Sequence, residues 1–202
     1  MKTNQKILRM VELAVLTALI VVLQQFSIPL GENSLCLVLI PIVVGAVLLG
    51  PSAGAFLGGV FGVVITVLAF QARLGVLTTK MLESNAFITI AICMLKGIAA
   101  GWVAGLIAKA FKKREFIGIV LAAAAAPVVN TGIYLLGITT VFRDITLQWA
   151  ATDPQVNYTG GSIVFLAFVI LVGVNFIIEL TANLVLSPSI AAIVRAVRKT
   201  TR

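Results

Sequence analysis

Residues 35–70 run for 36 positions without a charged side chain, and no other stretch restricts the fold as much. The run is too long for one membrane span of roughly 20 residues and suits two short spans joined by a tight turn. Gly50-Pro51 marks that turn. Proline has no N–H to donate to the preceding turn, and glycine adopts backbone angles that let a chain reverse. Beyond the turn, Gly54, Gly58 and Gly62 recur every fourth residue and fall on one helix face. Within a bilayer, where helices are held together by packing, such a face lets a second backbone come close.

The remaining composition agrees with a membrane protein. The 202 residues are 60% hydrophobic and only 11% charged, with a mean hydropathy of +1.15. A soluble domain carries about 25% charged residues and could not hide this much apolar surface. The net charge of +8 does not indicate nucleic acid. The basic residues gather at span ends and form no stripe interleaved with aromatics. Cys36 and Cys93 lie in apolar runs outside any metal or redox motif and read as small core residues.

Six spans are expected in an all-α bundle that takes up the whole chain, 1–202, at about 7–26, 35–49, 52–70, 87–109, 116–140 and 162–197. The first competes with a signal peptide, but its long apolar run ends in Gln24-Gln25 without a small-residue cleavage pattern, so it reads as retained. Pro41 and Pro188 are expected to bend the second and sixth spans. Residues 27–34, 71–86 and 141–161 read as polar connections. An even number of spans leaves both termini on one side. If that side is cytoplasmic, it holds 11 of the 15 basic residues, among them Lys6, Arg9, Lys109, Lys112 and Arg198, and the opposite side holds Arg73, Lys80 and Arg143.

The catalytic inventory is poor. There is no histidine and no phosphate-binding GxxxxGK[ST] loop, and no acidic motif suggests a lipid enzyme or a metal site. Polar groups at membrane depth are costly and therefore informative. Lys96 stands near the middle of the fourth span. It reads either as an ion-pair partner of Glu179 or as a substrate contact, and one role does not exclude the other. Asn175, Glu179 and Asn183 form an i, i+4, i+8 stripe on the sixth span, read as the lining of a cavity or as interhelical hydrogen bonding, with Asn183 the most structural of the three. Asn130 and Tyr134 form a similar i, i+4 pair on the fifth. Arg143, Trp149 and Tyr158 lie in the outer connection as wet loop residues or as a cover over a pocket. Asn157-Tyr158-Thr159 matches a glycosylation sequon, a three-residue pattern too short to carry weight. The polar groups thus favour the C-terminal three spans. The N-terminal three are rich in small-residue faces suited to sliding against a protein.

In these patterns the chain resembles, over essentially its whole length, the substrate-binding S components of energy-coupling factor (ECF) vitamin transporters. Ala14 and Ala18 are similar to the family's AxxxA contact face for the transmembrane T subunit. Residues 40–62, IPIVVGAVLLGPSAGAFLGGVFG, contain a match to its GPxxGAxxG segment. LKGIAAGWVAGLI (95–107) and NFIIELTANLVLSP (175–188) resemble its fourth and sixth helices. The resemblance implies a six-helix bundle in a bacterial cell membrane. It implies capture of a vitamin or precursor from outside, docking of the first three helices on one T subunit and two ATPases, and toppling to release the substrate inside. It also implies ligand contacts from Lys96, Asn130, Tyr134, Asn175 and Glu179, with loop residues such as Arg143 as covers, and no cofactor or metal. Riboflavin, thiamine, biotin, folate and pantothenate are all carried on this fold. Lys96 suits a carboxylate and the spans hold few aromatics, which favours pantothenate, while Glu179 leaves a cationic or hydroxyl-rich ligand open. A self-contained small carrier or channel is the competing reading, though no inverted repeat supports it. A ligand-free scaffold is a third.

Overall fold

The computed structural model describes residues 5–26, 28–30, 33–35, 37–153, 156, 158, 160–171 and 173–200. Cys36, Pro154, Asn157 and Thr159 lie outside them, as do Lys2 and Arg202. Helix α1 (Gln5–Gln25) leads into an antiparallel hairpin of β1 (Ile28–Leu30) and β2 (Asn33–Leu35), in which Pro29 stands opposite Ser34. Then follow α2 (Leu39–Leu49), α3 (Pro51–Phe70), α4 (Val76–Ser84), α5 (Ala86–Ala110) and α6 (Glu115–Leu136). A π-helical turn (Gly137–Val141) joins α6 to α7 (Arg143–Thr152). The short α8 (Ile163–Phe165) runs into a second π turn (Leu166–Leu171) ahead of α9 (Gly173–Thr200).

Five segments among the described residues are long and apolar enough to cross a membrane: Gln5–Gln25, Pro51–Phe70, Ala86–Ala110, Lys112–Val141 and Asn175–Lys199. The expected second span, 35–49, is the short one. Helix α2 begins at Leu39 rather than Leu35, because residues 33–35 pair with β1. Its 11 residues reach about 16 Å at 1.5 Å per residue, half of a hydrocarbon core of about 30 Å. Nearly all of it is buried among the longer helices. The late start also changes the meaning of Pro41. It lies in the first turn, where an N–H has no helical partner to lose, so no kink is required.

The two glycine tracks meet each other. Helices α3 and α5 run antiparallel, with Gly54 against Gly101, Gly58 against Gly97 and Gly62 against Met94. A Cβ on Gly62 would stand 2.8 Å from the Met94 Cα, and one on Gly105 would stand 2.8 Å from the Pro51 nitrogen. The α3 glycine face is therefore consumed inside the bundle and is not a surface for sliding against a partner. Gly50 makes the reversal into α3 at φ +98°, a conformation that glycine adopts without a Cβ clash.

Two connections expected to be polar loops are built structure. Helices α4 and α7 bury Leu77, Met81, Trp149 and Ala150 against Ile92, Leu135, Ile138 and Leu166, forming a cap of core over one end of the bundle. Trp149 is 2% exposed and is not a wet loop residue. Their apolar residues recur at helical spacing, but only over the 9 and 10 residues of α4 and α7. At the other end, α9 passes through Pro188 as a continuous helix. Proline leaves the Leu184 carbonyl without its usual donor, and the Ser187 hydroxyl donates to that oxygen at 2.7 Å.

Candidate functional site: a buried polar cavity

A cavity of about 90 Å³ lies between α1, α3, α5, α6 and α9 beneath α4. Side-chain spacing explains how the helices reach it. On α5, Cys93 and Lys96 are three residues apart and share a face beside the glycine track that seats the helix on α3. On α6, Asn130 and Tyr134 are four apart, and on α9 so are Asn175 and Glu179. All five cavity residues expected from the sequence, Lys96, Asn130, Tyr134, Asn175 and Glu179, line this one space.

The cavity brings charged, amide and aromatic side chains together. The Lys96 Nζ stands 5.1 Å from the centroid of the Tyr134 ring and 5.9 Å from that of Phe61, within cation–π range of both. Glu179 is 6% exposed and Asn130 9%. The oxygens Gln24 Oε1, Asn130 Oδ1 and Asn175 Oδ1 are buried without a hydrogen-bond partner among the described residues. A buried acceptor left unmade costs about 1–3 kcal/mol, so three of them on residues that line one cavity call for donors. Asn183 does not line the cavity. Its amide nitrogen donates to the Glu179 carbonyl at 2.9 Å, a role within the helix.

Several lining residues escaped the sequence reading. Gln24 is 2% exposed and reaches the cavity from the last turn of α1, one turn beyond the fully buried Ile20. Its neighbour Gln25 points the other way and accepts from the Arg73 guanidinium at 3.2 Å. As a pair, the two glutamines read only as the polar end of a span. Thr131 and Thr78 are buried in the wall, and Phe61 and Ile65 of α3 and Leu39 of α2 line it too. The cavity is thus shared between both halves of the chain and is not confined to the C-terminal three spans. Cys93, expected as plain core, also lines it.

The remaining expected residues lie elsewhere. Arg143 is exposed at the start of α7 and does not line the cavity. Tyr158 packs beside the α4–α7 cap and donates its hydroxyl to the Gly161 carbonyl at 2.6 Å. Ala14 and Ala18 are exposed on the outer side of α1, on a surface shared with Val11, Val15 and Leu19. No group of three or more His, Cys, Asp or Glu side chains among the described residues could hold a metal.

No curated protein matches the sequence. The sequence model of one family does, over residues 8–191, and its description is the substrate-specific component of an ECF transporter. That match takes in all five long apolar segments except the ends of the first and last, together with every residue of the cavity. The chain therefore belongs to the substrate-specific components of ECF transporters, multi-pass membrane proteins that bind a transported substrate and are not themselves enzymes.

Proposed function

We propose that this chain captures a small carboxylate-bearing micronutrient in the buried cavity and delivers it across a bacterial plasma membrane, driven by a T subunit and two ATPases. Lys96 receives the carboxylate. Gln24, Asn130 and Asn175 accept hydrogen bonds from hydroxyl or amide donors, and Tyr134 and Phe61 wall the apolar part. The observation that carries this reading is that three residues whose buried acceptor oxygens have no partner among the described residues line one cavity together with a lysine. Pantothenate has the required functional groups, one carboxylate, two hydroxyls and an amide N–H, and the cavity of about 90 Å³ must widen to admit it. Glu179 stands in the same wall and orders the donors or balances Lys96.

Both termini face the cytoplasm in this proposal, by the excess of basic residues at that end. The short α2 is counted as the sixth helix of the bundle. Docking on the T subunit uses the exposed Ala14–Ala18 side of α1, since the glycine face of α3 is already occupied by α5. Arg143 is left out of the ligand shell because it is exposed and outside the cavity.

The test is to purify the chain in mild detergent, denature it and identify released small molecules by mass spectrometry, then titrate the emptied protein with a vitamin panel by calorimetry. A stoichiometric carboxylate-bearing compound supports the proposal and names the substrate. Binding of a cationic vitamin instead would shift the dominant role from Lys96 to Glu179. No binding by any panel member, with the protein folded, would overturn the cavity as the substrate site.

A further inference from the structure

A second cavity, of about 360 Å³, opens at the end of the bundle that carries the start of α1 and the end of α9. It lies around the Gly50-Pro51 reversal. Four cationic side chains, Arg9, Lys109, Lys112 and Arg198, line it with one carboxylate, Glu115. The two arginines are anchored. Arg9 donates to the Leu49 carbonyl at 3.0 Å and Arg198 to the Val47 carbonyl at 3.2 Å, closing the C-terminal end of α2. Arg198 also pairs with Glu115. That accounts for the carboxylate and leaves the cavity with a strong positive excess. Lys109 and Lys112 line it while remaining exposed.

From this geometry we infer a binding site for the phosphate headgroup of an anionic phospholipid. The inference rests on neither the proposed substrate nor the proposed orientation. A general excess of basic residues at one membrane end needs no pocket, whereas here two anchored guanidinium groups and two exposed lysines line a concave space. The setting selects a lipid over a free anion. The cavity is at the end of membrane-spanning helices, and the residues beside its cations present apolar surface outward: Ile7 and Met10 next to Arg9, and Phe111 and Phe116 next to Lys112 and Glu115. A headgroup held by the cations would leave its acyl chains along that surface. Basic pockets between membrane helices are a recurrent headgroup site.

The experiment is native mass spectrometry of the full-length protein in detergent, titrated separately with phosphatidylglycerol, phosphatidylcholine and inorganic phosphate. Phosphatidylglycerol is expected to be retained well above phosphatidylcholine, and equimolar phosphate is expected not to displace it. The double variant Lys109→Gln/Lys112→Gln is expected to lower retention roughly twenty-five-fold, at about fivefold per lysine. The double variant Lys113→Gln/Arg114→Gln removes the same charge from neighbouring positions outside the cavity and is expected to stay within about twofold of the parent. All four side chains are exposed, so folding is not at risk, and unchanged melting curves will verify it. Equal loss in both double variants would overturn the inference in favour of diffuse surface charge. Equal retention of the two lipids would overturn it as well, and displacement by equimolar phosphate would make the cavity a free-anion site.

Discussion

The Lys96 ammonium lies 5.1 Å from the centre of the Tyr134 ring, so a charge on α5 and an aromatic face on α6 meet inside the bundle. The ring stacks on a half-buried cation that also lines the cavity. In the proposed function this is the charge that meets an anionic ligand.

Replacing Lys96 by methionine keeps the length and removes the charge. The expected result is about ten- to hundredfold weaker binding of a carboxylate ligand, with partial recovery in Lys96→Arg. Calorimetry against the purified variants measures it. Unchanged affinity in Lys96→Met would remove the lysine from the ligand shell.

Gln24→Leu separates binding from stability. The variant removes a buried amide whose oxygen has no partner among the described residues, so thermal stability should hold or rise slightly. Affinity for the ligand should fall about five- to tenfold, the equivalent of one hydrogen bond. A variant that binds as tightly as the parent would mean that Gln24 only walls the cavity.

Neighbouring glycines on α3 should respond differently to alanine. At Gly58 an added Cβ collides with the Gly97 backbone, whereas at Gly59 it meets only the Ile98 side chain, at 3.6 Å. Gly58→Ala is expected to cost about 1–3 kcal/mol and Gly59→Ala almost nothing. Thermal unfolding in detergent compares them, and equal melting temperatures would contradict the close α3–α5 approach.

Trp149→Ala should destabilise the α4–α7 cap by about 3–5 kcal/mol, because a fully buried indole leaves a large void. Arg143→Ala, six residues earlier and exposed, should stay within about 0.5 kcal/mol. The same melting assay distinguishes a packed cap from a loose loop.

Ala14→Leu/Ala18→Leu should leave ligand binding by the isolated chain unchanged and abolish uptake in cells that supply the T subunit and ATPases. Bulky side chains on this exposed face of α1 disturb only what docks there. Normal uptake by the variant would move the docking surface off α1.

Much of the site could be read from residue types alone. A lysine, two asparagines, a glutamate and a tyrosine in apolar helices stand out because each is costly in a bilayer, and i, i+4 spacing assigns two pairs to common faces. Gln24, Thr78 and Thr131 were hidden for the opposite reason. Glutamine at a span end and threonine beside asparagine are ordinary in water, and only burial makes them unusual. The hairpin of residues 28–30 and 33–35 was hidden too. Its strands are three residues each and lie almost wholly in the polar connection 27–34, too short for an alternating pattern to show.

The sequence by itself determined that the chain lives in a membrane, where it turns at Gly50-Pro51, and which helix faces are small or polar, because these follow from local composition and from 3.6 residues per turn. Tertiary structure alone decided which faces meet. The Gly54–Gly58 track could have served a partner protein, but antiparallel packing on Gly97 and Gly101 uses it internally. That packing sets the register of α5 and brings Lys96 into one cavity with Gln24, at the far end of α1 and 72 positions away in the chain. Spacing specifies a face, but the partner of that face depends on long-range contacts that no local pattern encodes.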